Sequence, residues 1–563
     1  MIKEWVVKIK PEVTKIEELQ NQLNIHPILC ALLIQRGIKN IEDAKSFFRP
    51  ELDRLHDPFL MRDMDKAVER LTQAIFEEEK ILIYGDYDVD GTTSVALAYN
   101  FLKDFSPNIF TYIPDRYTEG YGVSRKGIDW ALDHDIKLLI TLDCGIRATE
   151  NIKVAADGGI DVIICDHHLP GEELPAAVAI LDPKQNDCSY PYNELSGCGI
   201  GYKLLEGFSI QNGIDQNKLL GLLDLVAVSI ASDIVPVTGE NRLLAWFGLK
   251  KLNNSPLPGF AALIEKAGMN VPLTISDVVF GIGPRINAAG RIGHAKTALD
   301  LMTQSTKEEA YVYAEKLNVE NQERKNYDEN ITIAALELIK TEGQEHKCST
   351  VLFKKDWHKG VIGIVASRCI EQYYKPTIIM TESNGMITGS ARSVQGFDVY
   401  LALERCSDHL IQFGGHKYAA GLTMEPDRIN DFKVAFEEAV SELIEESQKK
   451  PTVNIDTEID LQDIDFKMFG ILKQMGPFGP MNMQPVFCSR NVFLKKDPRV
   501  LKEKHLKLFI SQAGCANNFD VIGFGLGHFH DQLDAPFDIV YTIEENHYKG
   551  NTTLQLMLKD IRV

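Results

Sequence analysis

KILIYGDYDVDGTTSVALAYNFL, residues 80–102, decides the fold of this chain. ILIY is a short run of apolar, partly β-branched and aromatic residues closed by Gly85, and the stretch after Gly91 switches to the apolar spacing of a helix. The same rhythm continues downstream: KLLITLD at 137–143, an Ala-rich stretch, DVIICD at 161–166 and VAILDP at 178–183. Strands alternating with helical patterns predict βαβ units, and so an α/β fold built on a parallel sheet covered by helices. Ligands of such sheets bind at the carboxyl ends of the strands. Three of these runs end in aspartate, at Asp86, Asp143 and Asp166, so the acidic residues are expected to converge on one edge.

Working outward, residues 1–70 read as a helical cap, with HPILCALLIQRG (26–37) and IEDAKSFF (41–48) as short amphipathic helices. The parallel-sheet domain is expected over 71–255 and a helical connector over 256–343. In that connector TKEEAYVYAEKLNVENQERKNYDENITIAALELIK (306–340) lacks Gly and Pro and predicts one long helix joining two lobes around a cleft. A second, smaller α/β domain follows over 344–450, carrying TVLFKK, GVIGIVASRCI, PTIIMTE and GMITGSAR. The polar stretch EESQKKPTVN then reads as a linker into residues 451–563, whose short β-rich segments punctuated by Gly, Asn and Pro predict a small Greek-key barrel.

With 563 residues, 44% of them hydrophobic, the chain is long enough for several cores. No apolar run reaches the roughly 20 residues needed to span a bilayer; Asp224 interrupts LLGLLDLVAVSIASDI, for example. The opening MIKEWVVKIKPEVTK lacks the pattern of a secretory signal, so a cytoplasmic location is expected, and separately the chain is expected to act as a monomer. Ten cysteines without a Cys-x-x-Cys pair speak against a zinc ribbon or a disulfide framework. A net charge of -20, from 60 Lys+Arg against 80 Asp+Glu, means that any polyanion must be met by a local basic groove or by bound cations.

The chemistry concentrates in GDYDVDG, where Asp86, Asp88 and Asp90 stand at every second position in a loop between strand and helix. Carboxylates so close repel one another unless cations neutralise them. An EF-hand is the bland alternative, but it requires a helix before the loop and a Glu at its twelfth position, and neither is present. CDHHLPG adds Asp166, His167 and His168 at the end of another strand, and TLDCG and SIASDIVP add Asp143 and Asp233 where a strand or helix meets a loop. An oxygen-rich donor set with imidazole suits Mn²⁺ or Mg²⁺ better than Zn²⁺. Two such ions roughly 3.5–4 Å apart activate water and clamp a phosphodiester.

In this order, GDYDVDG, TLDCG, DHH and ASDIVP resemble the four metal-binding motifs of the DHH phosphoesterase superfamily, and GPRINAAGRIGHA, GSARS and FGGHKYAAG resemble those of its RecJ branch. The resemblance runs over nearly the whole chain. It implies a DHH domain, a DHH-associated domain and a C-terminal oligonucleotide-binding barrel. It implies as well a two-metal exonuclease that degrades single-stranded DNA 5′→3′ to nucleoside 5′-monophosphates in recombination and repair, helped by a helicase and a single-strand-binding protein. By motif, Asp88, Asp90, Asp143, His167 and Asp233 become metal ligands with Asp143 as the bridge, Asp86 a sixth, and His168 a contact near the scissile phosphate. Asp166 is expected to orient a histidine, because ligating imidazoles donate their second N–H to a carboxylate. Some superfamily members carry a histidine where Tyr84 stands, and Asp86 is expected to stand in for it.

In the second domain Ser390 and Arg392 of GSARS sit beside glycines, and FGGHKYAAG offers Gly414, Gly415 and His416, so backbone N–H groups and a guanidinium can hold an anion. Taken alone, FGGHKYAAG reads as a glycine-rich turn; the resemblance makes it a substrate loop. Arg116 in PDRYTEGYG resembles a residue that acts with the GSARS pair on the terminal 5′-phosphate, and Arg285 and His358 are lesser candidates for backbone contacts. In the barrel, Lys495, Lys496, Arg499, Lys502, Lys504 and Lys507, with Phe493 and Phe509, interleave charge and aromatic surface as single-strand binders do. GPFGPMNMQPVF departs from the branch by carrying Met481 and Met483.

Other readings share part of this pattern. A DHH-family nanoRNase, cyclic-dinucleotide phosphodiesterase or pyrophosphatase has the metal motifs without the terminal barrel. A non-catalytic single-strand-binding scaffold would not keep buried carboxylates that lack a cation. A carboxylate-rich transferase would explain the aspartates but not GSARS or the basic barrel.

Overall fold

The computed structural model describes residues 2–563. The chain forms two compact units, one of residues 46–324 with 475–483, the other of residues up to 45 with 325–474 and 484–563.

The first unit is organised by a parallel sheet of five strands, β2 (Ile81–Gly85), β3 (Ile109–Tyr112), β4 (Leu138–Leu142), β5 (Asp161–Cys165) and β6 (Ala179–Leu181). Their order across the sheet is β3-β2-β4-β5-β6, and β1 (Glu4–Val7) lies outside it. Every residue of β2 and β4 is buried, because helices cover both faces. Ile81 and Ile83 pack towards helices Met64–Phe76, Val89–Leu102 and Gly197–Asn212, while Leu82 and Tyr84 pack the other way against Ile128, Ala131, Ile152 and Ala155. This two-residue alternation with both sides apolar explains why the strands read as continuous hydrophobic runs. β3 is half-buried along its whole length, as an edge strand is, and its mixed sequence IFTY gives a weaker pattern than its neighbours.

In the second unit, β7 (Thr350–Phe353), β8 (Thr377–Ser383), β9 (Met386–Arg392), β10 (Gln412–His416) and β11 (Ala419–Met424) form a mixed sheet in the order β10-β11-β9-β8-β7. Here FGGHKYAAG is not a loose glycine-rich turn: Gly414 pairs with Gly421 and Gly415 with Ala420 across the β10–β11 hairpin. The C-terminal strands are β13 (Thr457–Glu458), β14 (Phe487–Leu494), β15 (Arg499–Leu501), β16 (His505–Gln512), β17 (Phe519–Gly523), β18 (Phe537–Tyr548) and β19 (Asn551–Arg562). Pairing of β14 with both β18 and β16 closes the circuit β14-β18-β19-β17-β16 into a barrel.

The lead-in is less uniform than its sequence suggests. Residues 1–70 are neither wholly helical nor one piece: β1 pairs in parallel with β12 (Thr452–Ile455), and the chain changes units between Lys45 and Ser46. Residues 475–483, expected within the barrel domain, belong instead to the unit of the parallel sheet, where the Pro480 carbonyl accepts from Val237 N at 2.8 Å. The long helix is present as Lys307–Thr341. Among the described residues no helix is long and apolar enough to cross a membrane, and all ten cysteines are free.

Candidate metal centre and substrate contacts

All five strands of the first sheet run the same way, so the loops after β2, β4 and β5 deliver Asp86–Asp90, Asp143 and Asp166–His168 to one edge. After β2, Asp88 caps helix Val89–Leu102, its carboxylate accepting from Gly91 N at 3.0 Å. Thr92, Thr93 and Ser94 turn their hydroxyls back onto the carbonyls of Asp88, Val89 and Asp90, which holds the loop against the helix start. Asp90 itself is fixed by a second helix: Gly197 N and Cys198 N donate to its two oxygens at 2.7 and 2.9 Å, and Ser229 Oγ donates at 2.7 Å. Gly197 is required there, since a Cβ would stand 2.6 Å from that of Asp143. Asp143 is reached through a left-handed backbone, φ 60°, which is uncommon for a residue with a side chain.

The donors meet around His167. Its Nε2 lies 3.1 Å from Asp143, 3.5 Å from Asp233 and 3.9 Å from Asp90. Two sets bring their ligand atoms within 4.8 Å of one another, Asp143 with His167 and His168, and Asp90 with His167 and Asp233. Asp86 and Asp88 are not in these sets. Asp86 accepts from Gly122 N at 3.2 Å, and its other oxygen is buried without a hydrogen bond. Tyr84, where a histidine stands in some relatives by motif, is buried and donates to the Gly122 carbonyl at 2.9 Å, so it builds the wall of the site.

These residues fit a divalent cation by a direct test. Both ring nitrogens of His167 and Oδ1 of Asp143 are buried without a hydrogen bond, an expensive arrangement unless a cation takes the lone pairs. Burial, followed by mutual repulsion with Asp88, Asp90 and Asp233, holds the carboxyl of Asp143 well above its ordinary range, and Asp233 is raised for the same reasons. Burial likewise lowers His167, to about 4, which keeps the imidazole neutral as a ligand must be. Asp166 behaves oppositely. Burial works to raise it, but the hydrogen bond and charge of His168 and the Ile146 N–H outweigh that and bring it down to about 2. Asp166 Oδ1 lies 2.7 Å from His168 Nδ1, so it orients His168 rather than His167.

Tyr121 has no obvious signal in the sequence. Its hydroxyl lies 3.1 Å from both the Asp143 carbonyl and His168 Nε2. Ser229, Gly197 and Cys198 are equally invisible, because their contribution depends on which helices pack beside Asp90.

Arg116 lies over the Tyr87 ring, 4.8 Å from its centroid, and its charge favours the ionised form of Asp86. Arg285 is not open to substrate in the same way: its guanidinium donates to Asn318 at 3.1 Å and to the Gly281 carbonyl at 2.7 Å, bracing two helices. In the other unit, Arg392 Nη1 donates to Ser390 Oγ at 3.0 Å, and helix Ile362–Tyr373 begins beside them. A Cβ on Gly363 would stand 2.7 Å from Arg392 and 2.8 Å from Ser390, so this glycine keeps the cradle open. His416 is exposed on β10, and His358 stacks on Tyr327 at 4.9 Å. In the barrel, Lys495 sits 5.0 Å over Phe493 and Lys496 4.4 Å over Phe509, whereas Lys502 and Lys504 occupy the tip of the β15–β16 hairpin.

Known proteins place this architecture. Family models match in chain order: the DHH family N-terminal domain over residues 80–230, the DHHA1 domain over 345–442 and the RecJ OB domain over 455–560. The single-stranded-DNA-specific exonuclease RecJ of Bacillus subtilis (strain 168) is 34% identical over 570 residues, covering 99% of this chain and 71% of its own. That of Escherichia coli (strain K12) is 32% identical over 559 residues, 95% of this chain and 96% of its own. The crystal structure of RecJ in complex with Mn²⁺ from Thermus thermophilus superposes with a TM-score of 0.86 at 26% identity, covering all of this chain and 79% of that one. A second structure, of exonuclease RecJ bound to manganese, gives 0.61 at 30% identity over 69% of this chain and 96% of that one. Three family models in order and such identity over nearly the full length mean that the chain belongs to the RecJ family of the DHH superfamily.

Proposed function

We propose that this protein is a divalent-metal-dependent exonuclease that degrades single-stranded DNA 5′→3′, releasing nucleoside 5′-monophosphates. The observation that carries the reading is the clustered set of Asp90, Asp143, His167, His168 and Asp233, in which Oδ1 of Asp143 and both ring nitrogens of His167 are buried without a hydrogen bond, in a chain of the RecJ family. Asp88, Asp90, Asp143, His167 and Asp233 would hold two cations, Mn²⁺ or Mg²⁺, with Asp86 in support. When bound, such cations supply positive charge to the phosphoryl group and activate water.

The chain's own groups do the rest. Burial works against a charge on His168, but the hydrogen bond and charge of Asp166 outweigh it and favour the imidazolium, so its Nε2, beside the Tyr121 hydroxyl, is set to donate to a phosphate oxygen. Arg116 is held over Tyr87 next to the acidic loop, and Ser390 with Arg392 receives the terminal 5′-phosphate in the space that Gly363 leaves open. Lys495 and Lys496, each above an aromatic ring, hold the strand by phosphate contact and base stacking.

The test is a time course with Mn²⁺ on matched single-stranded and duplex oligonucleotides labelled at either end. The expected result is immediate release of the 5′ label as mononucleotide from single strands alone. Release of the 3′ label first, or equal cutting of duplex, would contradict the reading.

A further inference from the structure

The strand order of the first sheet lays the site out as a row. Reading β3-β2-β4-β5-β6, the loops carry Arg116, then the Asp86–Asp90 loop, then Asp143, then His167 with His168, and last Asp182 with Lys184. Adjacent strands lie about 4.8 Å apart, so the four intervals from β3 to β6 span about 19 Å. The donor set sits in the middle, Arg116 at one end and Lys184 at the other.

Lys184 is built into its place. Its backbone N–H donates to Asp182 Oδ1 at 2.7 Å, and Asp182 is wholly buried at the end of β6. The side chain is 21% exposed, and its Nζ approaches Glu194 no closer than 4.0 Å, a loose pairing with a carboxylate that is itself 42% exposed. Lys184 also borders a cavity of about 490 Å³ with Leu169, Asn186, Tyr190, Asn193 and Glu194. Leu169 directly follows His168 and is 65% exposed, which gives the cavity an apolar face next to the hydrolytic centre. A cation, side-chain amides and an apolar surface around a space of that size suit a nucleotide, with Glu194 the one carboxylate among the lining residues.

We infer that Lys184 and this cavity form a subsite for the retained strand, binding the phosphate and nucleoside on the 3′ side of the scissile bond, at the opposite end of the row from Arg116. The inference rests on the exonuclease reading, because it takes its direction from a 5′ end held on the Arg116 side. Such a subsite supplies what the acidic chain otherwise lacks here: a counter-charge for the next phosphate, so that a strand shortened by one nucleotide stays engaged.

The experiment compares wild type, Lys184→Met and Lys184→Arg with Mn²⁺ on 5′-phosphorylated dinucleotide and hexanucleotide DNA. A dinucleotide has no phosphate beyond the scissile one, whereas a hexanucleotide does. For Lys184→Met the KM penalty on the hexanucleotide should exceed that on the dinucleotide at least fivefold. The dependence of log(kcat/KM) on log[KCl] should become shallower by about 0.7, the value of one single-strand phosphate contact. Lys184→Arg, which keeps the charge, should recover most of the loss. An equal penalty at both lengths, no penalty on the hexanucleotide, or a Lys184→Arg enzyme as impaired as Lys184→Met would each overturn the subsite. If wild type degrades neither DNA, it is the exonuclease reading that has failed, an outcome distinct from all of these.

Discussion

Asp143 enters the site through a left-handed turn, its carbonyl beside Tyr121 and its carboxylate facing His167, so its removal takes away a donor while most of the surrounding packing stays. Asp143→Ala should lower hydrolysis by at least about 10³-fold, about 4 kcal/mol of barrier, while the affinity for single strands in the absence of turnover stays within a few fold; retained turnover would remove Asp143 from the metal centre. Asp166 acts at one remove, through His168, and second contacts of this kind cost about 10–100-fold in activity or metal affinity. Asp166→Asn should fall in that range, read by Mn²⁺ titration of activity, and an effect as large as that of Asp143→Ala would make it a ligand. Gly363→Ala tests the cradle in the other unit, because the new methyl would press on Arg392 and Ser390. Its kcat/KM should fall about tenfold on 5′-phosphorylated strands, about 1.4 kcal/mol, and less on 5′-hydroxyl strands; equal losses would separate Arg392 from the terminal phosphate. At this scale the sequence was most legible where chemistry forced a rare residue type into a motif. It was silent where an ordinary residue serves by position. Tyr121, Ser229 and Gly363 are such residues, and only the fold shows what stands beside them.

The elements that read clearly are those buried on both faces. β2, β4 and β5 are apolar on both faces, so length and the acidic residues at their ends identified them, whereas β3 at the edge is half-buried and its sequence IFTY carries no such signature. The β10–β11 hairpin was obscured for the opposite reason: its glycines suggest a turn, yet Gly414 and Gly415 sit opposite Gly421 and Ala420 in a ladder. β1 pairs with β12, a partner far away in sequence, and no local pattern encodes such a pairing. On the barrel, the two lysines over Phe493 and Phe509 belong to one surface because Lys495 N donates to the Phe509 carbonyl at 2.8 Å. Replacing both Lys495 and Lys496 by Ala should weaken single-strand binding alike for all base sequences and make its salt dependence shallower by about 1.4 in log–log slope, at about 0.7 per contact. Anisotropy titrations at several KCl concentrations measure this, and an unchanged slope would take the pair off the binding surface.

For the whole molecule, the net charge of -20 becomes intelligible once part of it is seen as a buried carboxylate set that awaits cations. Without metal, burial and mutual repulsion raise the carboxyls of Asp86, Asp143 and Asp233, and burial raises Asp182 to about 7 and Asp224 to about 6. A carboxyl whose folded pKa lies above its unfolded value of about 3.9 holds more protons in the folded state than in the unfolded one. Its contribution is therefore present in full at low pH and is lost as pH rises through the folded value. In EDTA, thermal stability should decline from about pH 4 upward, through the titration of Asp224 and Asp182 and beyond. Mn²⁺ competes with the protons on Asp143 and Asp233 but not with those on Asp224. The increase in Tm given by Mn²⁺ should thus be small near about pH 5 and grow towards about pH 8, since ligands must be deprotonated to bind. At a hundredfold excess over Kd the stabilisation amounts to roughly 2.7 kcal/mol. Thermal melts with EDTA or Mn²⁺ across this range decide the matter, with His167→Ala as the reference that should lose most of the gain. A gain independent of pH would mean that these carboxyls are already ionised in the metal-free fold, and that the cost of their burial is met by something other than protons.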